Sequence, residues 1–197
     1  MKKLLPLLLF SIVAFTSCNN GSATDSIKNI ISGIEEMGEG KEIRVNEYAI
    51  TVPGYMKENK TLNEEASLQY ASTVKEFYVI VIDERKTTID SLFSSSEMFE
   101  KYNEGNPFST YANFMTESYT GNSDSISNKK ILKSDINGMT RKQVTYISPF
   151  NGYNIFFNVN FIAGKKTYYQ VFTWCMEKDA EKYKPVMEKM VRSLHEI

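Results

Sequence analysis

His195 is the only histidine of the 197-residue chain, and Cys18 and Cys175 are its only cysteines. A Ser-His-Asp or Cys-His site needs an imidazole held in place by a third group. A histidine beside the chain's end is badly placed for that, and His195 reads instead as a favourable charge at a helix C-terminus. Zinc sites draw on several Cys and His ligands, and the supply here is too small. Cys175 closes a strand-like run and reads as a small buried apolar residue. No Walker loop occurs, and Gly38-Glu39-Gly40 follows no Val/Ile-rich strand, so it is not a dinucleotide fingerprint. Glu35-Glu36 and Asp83-Glu84 are sequence neighbours whose side chains diverge in a helix or strand. Neither has the spacing of a glycosidase couple, and both read as solvated charges. Ser123-Asp124-Ser125 and Asp135-Ile136-Asn137-Gly138 resemble part of a calcium loop but lack its later Glu. No catalytic set, metal or cofactor is expected.

Two other chemistries remain. Asp25-Ser26-Ile27, Asp90-Ser91-Leu92 and Asp124-Ser125-Ile126 resemble an O-glycan acceptor motif of some bacterial periplasms, with helix or turn capping by Asp as the competing reading. The stronger case is Cys18. Lys2 and Lys3 are followed by an apolar run, Leu4–Phe15, too short to span a bilayer as a stable helix. It ends Phe15-Thr16-Ser17-Cys18, and small residues before a Cys resemble a bacterial lipoprotein signal. Residues 1–17 are thus expected to be removed and Cys18 to carry lipid. Two or more acyl groups, at about 0.8 kcal/mol per buried CH₂, give stable anchoring. Cys175 is then left without an intramolecular disulfide partner.

Residues 18–40 read as the tether. Asn19–Asp25 is polar, and Ile27, Ile30, Ile31, Ile34 and Met37 recur at helical spacing between a capping Asp25 and Gly38. That helix lacks the basic face of an interfacial helix, so it is expected to dock on the domain. An acidic cluster after the Cys, a surface-export cue in some outer-membrane lipoproteins, is absent, so the expected location is the outer membrane, facing the periplasm. Removing Lys2 and Lys3 leaves 21 basic against 24 acidic residues, which argues against a nucleic-acid surface.

Residues 41–197 read as one domain. Alternation marks strands at Ile43–Val52, Ala66–Ala71 and Glu76–Glu84, the last apolar on both faces as a covered central strand would be. Thr87 onward reads as a helix broken near Ser94-Ser95-Ser96. Asn106-Pro107 starts a second helix whose stripe Phe108, Tyr111, Met115, Tyr119 is core-like. Strands Lys129–Ser134 and Met139–Ser148 flank an Asn137-Gly138 hairpin. In Tyr153–Ala163 one face is wholly apolar and the other carries Asn154, Asn158 and Asn160. Gly164-Lys165-Lys166 suggests a type II′ turn into Thr167–Cys175. A helix over Asp179–His195 closes the chain, with Pro185 expected to kink it or to begin its main part. The order predicts an α+β helix–sheet–helix sandwich, with a largely antiparallel sheet of about six to seven strands and the C-terminal helix packed on it.

Four stretches resemble the PsbP-like family, named for an extrinsic protein of photosystem II and extending to many bacterial lipoproteins. They are Tyr48-Ala49-Ile50-Thr51-Val52-Pro53-Gly54-Tyr55, Tyr78–Glu84, Ile136-Asn137-Gly138-Met139, and Tyr168-Tyr169-Gln170-Val171 with the final helix through Arg192-Ser193-Leu194. Tyr55 stands where the family usually has Trp, and Leu194 where it has Phe. The resemblance implies a non-enzymatic binding or assembly factor for an envelope protein partner, with no catalytic residues to carry over. Tyr168, Phe172 and Trp174 share a face of the last strand. Covered by helices they are core; uncovered, they form a surface for a partner or a groove for a small apolar or glycan ligand.

Overall fold

The computed structural model describes residues 36–95, 97–121 and 125–197. The signal sequence, Cys18, Asp25-Ser26-Ile27, Asp124 and all of the predicted tether helix except Glu36 and Met37 lie outside the described residues. Met37 is buried against the domain.

Gly40–Val45 (β1) and Tyr48–Pro53 (β2) form an antiparallel hairpin. Sequence alternation predicts one strand over Ile43–Val52. The structure has two, because Asn46 takes φ +48°, a left-handed conformation that Asn tolerates better than most residues. Then come Lys57–Glu58 (β3), Leu68–Ser72 (β4) and Phe77–Arg85 (β5). Lys86–Ser94 (α1) and a 3₁₀ segment, Glu97–Tyr102, bear out the broken helix. Pro107–Thr120 (α2) starts as expected: the Asn106 side chain accepts from the Ser109 N–H at 2.8 Å, and Pro107 needs no donor of its own. Four strands follow, Ser127–Ile136 (β6), Met139–Phe150 (β7), Tyr153–Ala163 (β8) and Thr167–Met176 (β9). A 3₁₀ turn, Glu177–Asp179, leads into Ala180–Ser193 (α3).

β3-β4-β5-β9-β8-β7-β6 is one antiparallel sheet of seven strands. Its hairpins β6–β7 and β7–β8 turn on Asn137-Gly138 and Asn151-Gly152, all four residues having positive φ, as a type I′ turn requires. The β8–β9 turn differs from expectation. Gly164 is not among the residues of positive φ, so no type II′ turn forms there. Its N–H donates to the Thr167 carbonyl at 2.9 Å. Glycine is required for space instead, since a Cβ would lie 2.2 Å from Glu196 Oε1 and 2.7 Å from Tyr169 Cε2.

α3 begins at Ala180 and runs through Pro185, so Pro185 does not start it. It ends at Ser193, where Leu194 turns extended, and His195–Glu196 (β10) joins β2. His195 is therefore in a strand opposite Ala49, not on the last turn of a helix. β1, β2 and β10 make a second, three-stranded sheet.

Both faces of the large sheet are covered. Phe77, Val79, Val81, Tyr169 and Val171 meet Tyr183, Val186, Met187 and Met190 of α3, together with Tyr48, Ile50 and Val52 of β2. On the other face Val144, Val159, Phe161 and Tyr168 meet Phe93, Phe99, Tyr111 and Ala112. This is the expected α+β sandwich, with the small sheet added on the α3 side.

Candidate functional site

Among the described residues, two clusters of interior polar side chains lie on opposite faces of the large sheet. On the α3 face, Arg141 of β7 is fully buried and forks onto Glu188 with bonds of 2.8 and 2.6 Å. Its Nε donates to Asn160 Oδ1 at 2.8 Å. Asn160 and Gln143 donate to Asn158 Oδ1 at 3.2 and 2.7 Å, and Asn158 donates to Thr173 Oγ1 at 3.1 Å. Arg192, one turn on from Glu188, pairs with it at 2.6 Å. Burial would raise the Glu188 pKa, but the two guanidinium groups outweigh it and hold the carboxyl below its usual range. The Asn residues of the β8 alternation are thus the acceptors and donors that let a buried arginine be satisfied.

On the α2 face, Glu84 accepts from the Tyr111 hydroxyl, and from Gln170 Nε2 at 2.8 Å, while Tyr119 donates to Gln170 Oε1 at 2.7 Å. Asp83, its neighbour, accepts from Asn46 at 3.3 Å on the opposite side of the sheet, so the two carboxylates diverge as expected. Asp90 caps no helix; its Oδ1 accepts from the Tyr168 hydroxyl at 2.8 Å. Neither cluster sets a nucleophile beside a base. Cys175 is buried, and burial pushes its thiol up to about 12, so it is a poor nucleophile. Among the described residues no group of three or more His, Cys, Asp or Glu is placed to hold a metal, and no helix is long and apolar enough to cross a membrane.

The three aromatic residues singled out on β9 have different surroundings. Tyr168 is sealed: Tyr111 of α2 stacks on it with centroids 4.8 Å apart. Half-buried Phe172 meets the edge of Tyr119 at 5.1 Å. Trp174 lies beyond the rows that α2 covers. Strand register puts it opposite Tyr78 on one side and Phe157 on the other, with Tyr146 opposite Phe157. The rings form a row of centroid distances 5.1, 6.3 and 5.1 Å. Tyr78, Trp174 and Phe157 keep partial exposure, whereas Tyr146 is buried. Such pairs add roughly 0.5–1.5 kcal/mol each beyond area burial, so the row is a rigid aromatic surface. Sequence alone places each of these residues on an apolar stretch; their adjacency depends on which strands pair.

A concavity of about 490 Å³ opens elsewhere, between α1 and the start of α2, lined in part by Phe93, Phe99, Asn103, Asn106 and Thr110. None of Tyr168, Phe172 or Trp174 lines it. Cys18 lies outside the described residues.

No protein-family model matches the chain, and no curated protein matches it. Solved structures do. The solution structure of cyanobacterial PsbP (CyanoP) from Synechocystis sp. PCC 6803 is 9% identical, with TM-score 0.55, over 80% of this chain and 92% of that one. LpqN of Mycobacterium tuberculosis, described as involved in cell envelope biogenesis, is 7% identical, with TM-score 0.50, over 88% of this chain and 96% of that one. At such identities the likeness is one of architecture: the chain has the PsbP-like fold.

Proposed function

We propose that the chain is an envelope lipoprotein whose domain binds an envelope protein partner and performs no catalysis. A lipid on Cys18 would hold it at the outer membrane, facing the periplasm. The observation that carries the binding role is the row Tyr78–Trp174–Phe157, three aromatic rings side by side on the sheet that each keep partial exposure. Trp and Tyr are the side chains that dominate protein interfaces. The setting is supported by the order of basic, apolar and small residues before Cys18, and by the involvement of LpqN, a protein of like fold, in cell envelope biogenesis.

A carrier of a small apolar or glycan ligand would use the same row. Small-ligand sites are concave; this row is a sheet face, and Tyr168, which would have lined a groove, lies under α2. The flat geometry favours a protein. The test is affinity capture of the full chain from detergent-solubilised envelope. Wild type should retain a discrete partner that Trp174→Ala loses. Capture of nothing, or equal capture by both, would contradict the reading.

A further inference from the structure

We propose that the end of the sheet bearing the β4–β5 and β7–β8 hairpin tips rests on the lipid bilayer and buries apolar side chains in its interface. This extends the anchored reading above and rests on it.

Three observations converge. The first is what the tips display. Val74, in the β4–β5 turn, is 94% exposed, and Phe150 and Tyr153, flanking the β7–β8 turn, are 65% and 61% exposed. The other large exposed apolar residues among those described, Leu92, Ile131, Leu132 and Ile197, are aliphatic and lie on α1, the edge strand β6 and the chain's end. Both strongly exposed aromatic residues are thus at one end. Tyr and Phe suit the boundary between water and acyl chains.

The second is level. Phe77 pairs with Cys175 and Cys175 with Phe156, which makes a common row across the sheet. Ser72 belongs to the same row, so Val74 lies two residues beyond it and Tyr153 three; at about 3.3 Å per residue the tips stand at most about 7 Å and about 10 Å past it. About three strand spacings of ~4.8 Å separate the two turns. A flat surface can touch both.

The third is where the chain leaves. Glu36, the first described residue, is bound by Lys75 at 3.1 Å and Lys182 at 3.0 Å, and Lys75 adjoins Val74. Cys18 is eighteen residues earlier, a reach of at most about 65 Å when fully extended. Turning the domain over would use up some 35 Å of that reach along the length of β8. Charges at this end are mixed, Lys75 and Lys178 standing with Glu76 and Glu177. The contact is therefore apolar insertion, without dependence on anionic headgroups.

The experiment uses the full acylated chain in phosphatidylcholine vesicles whose acyl chains carry nitroxide quenchers. An environment-sensitive fluorophore is attached in separate proteins at Val74→Cys, Tyr153→Cys and, at the opposite end, Lys165→Cys; buried Cys175 stays unlabelled. The expected result is a blue shift and several-fold stronger quenching at positions 74 and 153 than at 165, alike in low and high salt. Equal quenching at all three positions, or quenching only at 165, overturns the proposal. Failure of the anchored reading shows itself separately: unsubstituted chain would take up label at Cys18 and fail to float with vesicles. Tips of such an unanchored chain that then show no blue shift on vesicle addition overturn the tip contact as well.

Discussion

α2 and α3 are both 14 residues long and lie on opposite faces of the same sheet, yet they leave those faces in different states. On the α3 face the helix is joined by β1, β2 and β10, and Arg141, Asn158 and Asn160 are buried there, bonded to one another and to Glu188. On the α2 face the helix is joined by α1 and the 3₁₀ segment, through Phe93 and Phe99. Tyr111 of α2 stacks on buried Tyr168 and Tyr119 reaches Phe172, while Tyr78, Trp174 and Phe157 keep partial exposure. The lesson is that one face of a sheet can be closed around polar groups that pair with one another, while the other, also covered by helices, keeps part of an aromatic row for something else.

The sharpest way to break this contrast is at Arg141. Arg141→Met removes the cation while leaving Glu188 and Asn160 in place; because Glu188 keeps Arg192 and some exposure, the loss should be about 2–4 kcal/mol by chemical denaturation, less than for a fully stranded buried charge. Replacing Arg141, Glu188 and Asn160 together by apolar residues of similar volume should recover most of that loss. A cost below about 1 kcal/mol for Arg141→Met would mean the network does not hold the face closed. On the sealed part of the α2 face, Tyr111→Phe removes a hydroxyl donated to the Glu84 carboxylate. It should cost roughly 1.5–3 kcal/mol, the range of a hydrogen bond to a charged group.

Trp174→Ala should behave differently from both. A fully buried Trp costs about 3–5 kcal/mol on truncation; half-buried Trp174 should cost no more than ~1–2 kcal/mol in thermal or denaturant unfolding, with partner capture lost. A loss as large as that of a core Trp would place the row in the core and remove the distinction between covered and open rows.

The smallest effect is a pH dependence under α2. Burial lowers the Lys142 pKa from 10.5 to about 8, while its ammonium donates to Asn113 Oδ1 at 2.5 Å and Ala112 O at 3.3 Å. Between those values the unfolded chain holds a proton that the folded chain has released, so this residue makes stability rise with pH from about 8. Burial raises the hydroxyl pKa values of Tyr48, Tyr111 and Tyr119. Their contribution is complete below the ordinary tyrosine range and is lost above about pH 10, where the unfolded chain gives up those protons first. The rise between pH 8 and 10 should appear in wild-type unfolding curves and vanish in Lys142→Met. Its persistence in that variant would assign it to other groups.

Local signals announced most of the elements. The Asn106-Pro107 start, the Asn137-Gly138 turn and the alternation of β8 each depend on neighbouring residues, and each has its expected form. What stayed illegible depends on partners distant in sequence. Gly164 looked like a turn residue and is a close-packing residue against Glu196 and Tyr169. His195 looked like a helix-end charge and is a strand residue, because β2 captures the tail. The alternation of β8 put Asn158 and Asn160 on one face, but only Arg141, on another strand, gives that face its buried partner. The aromatic row was legible residue by residue, but only the register of β5, β9, β8 and β7 sets Tyr78, Trp174, Phe157 and Tyr146 side by side.

The central claim is that Trp174 and its row meet a protein in the envelope. Photo-crosslinking in intact cells from a photoreactive phenylalanine analogue at position 174 tests it most directly, with the same group at exposed Lys189 on α3 as the control. A discrete protein adduct from position 174, absent from 189 and weakened by Tyr78→Ala, is the expected result. No adduct at 174, or the same adduct from both positions, would contradict it.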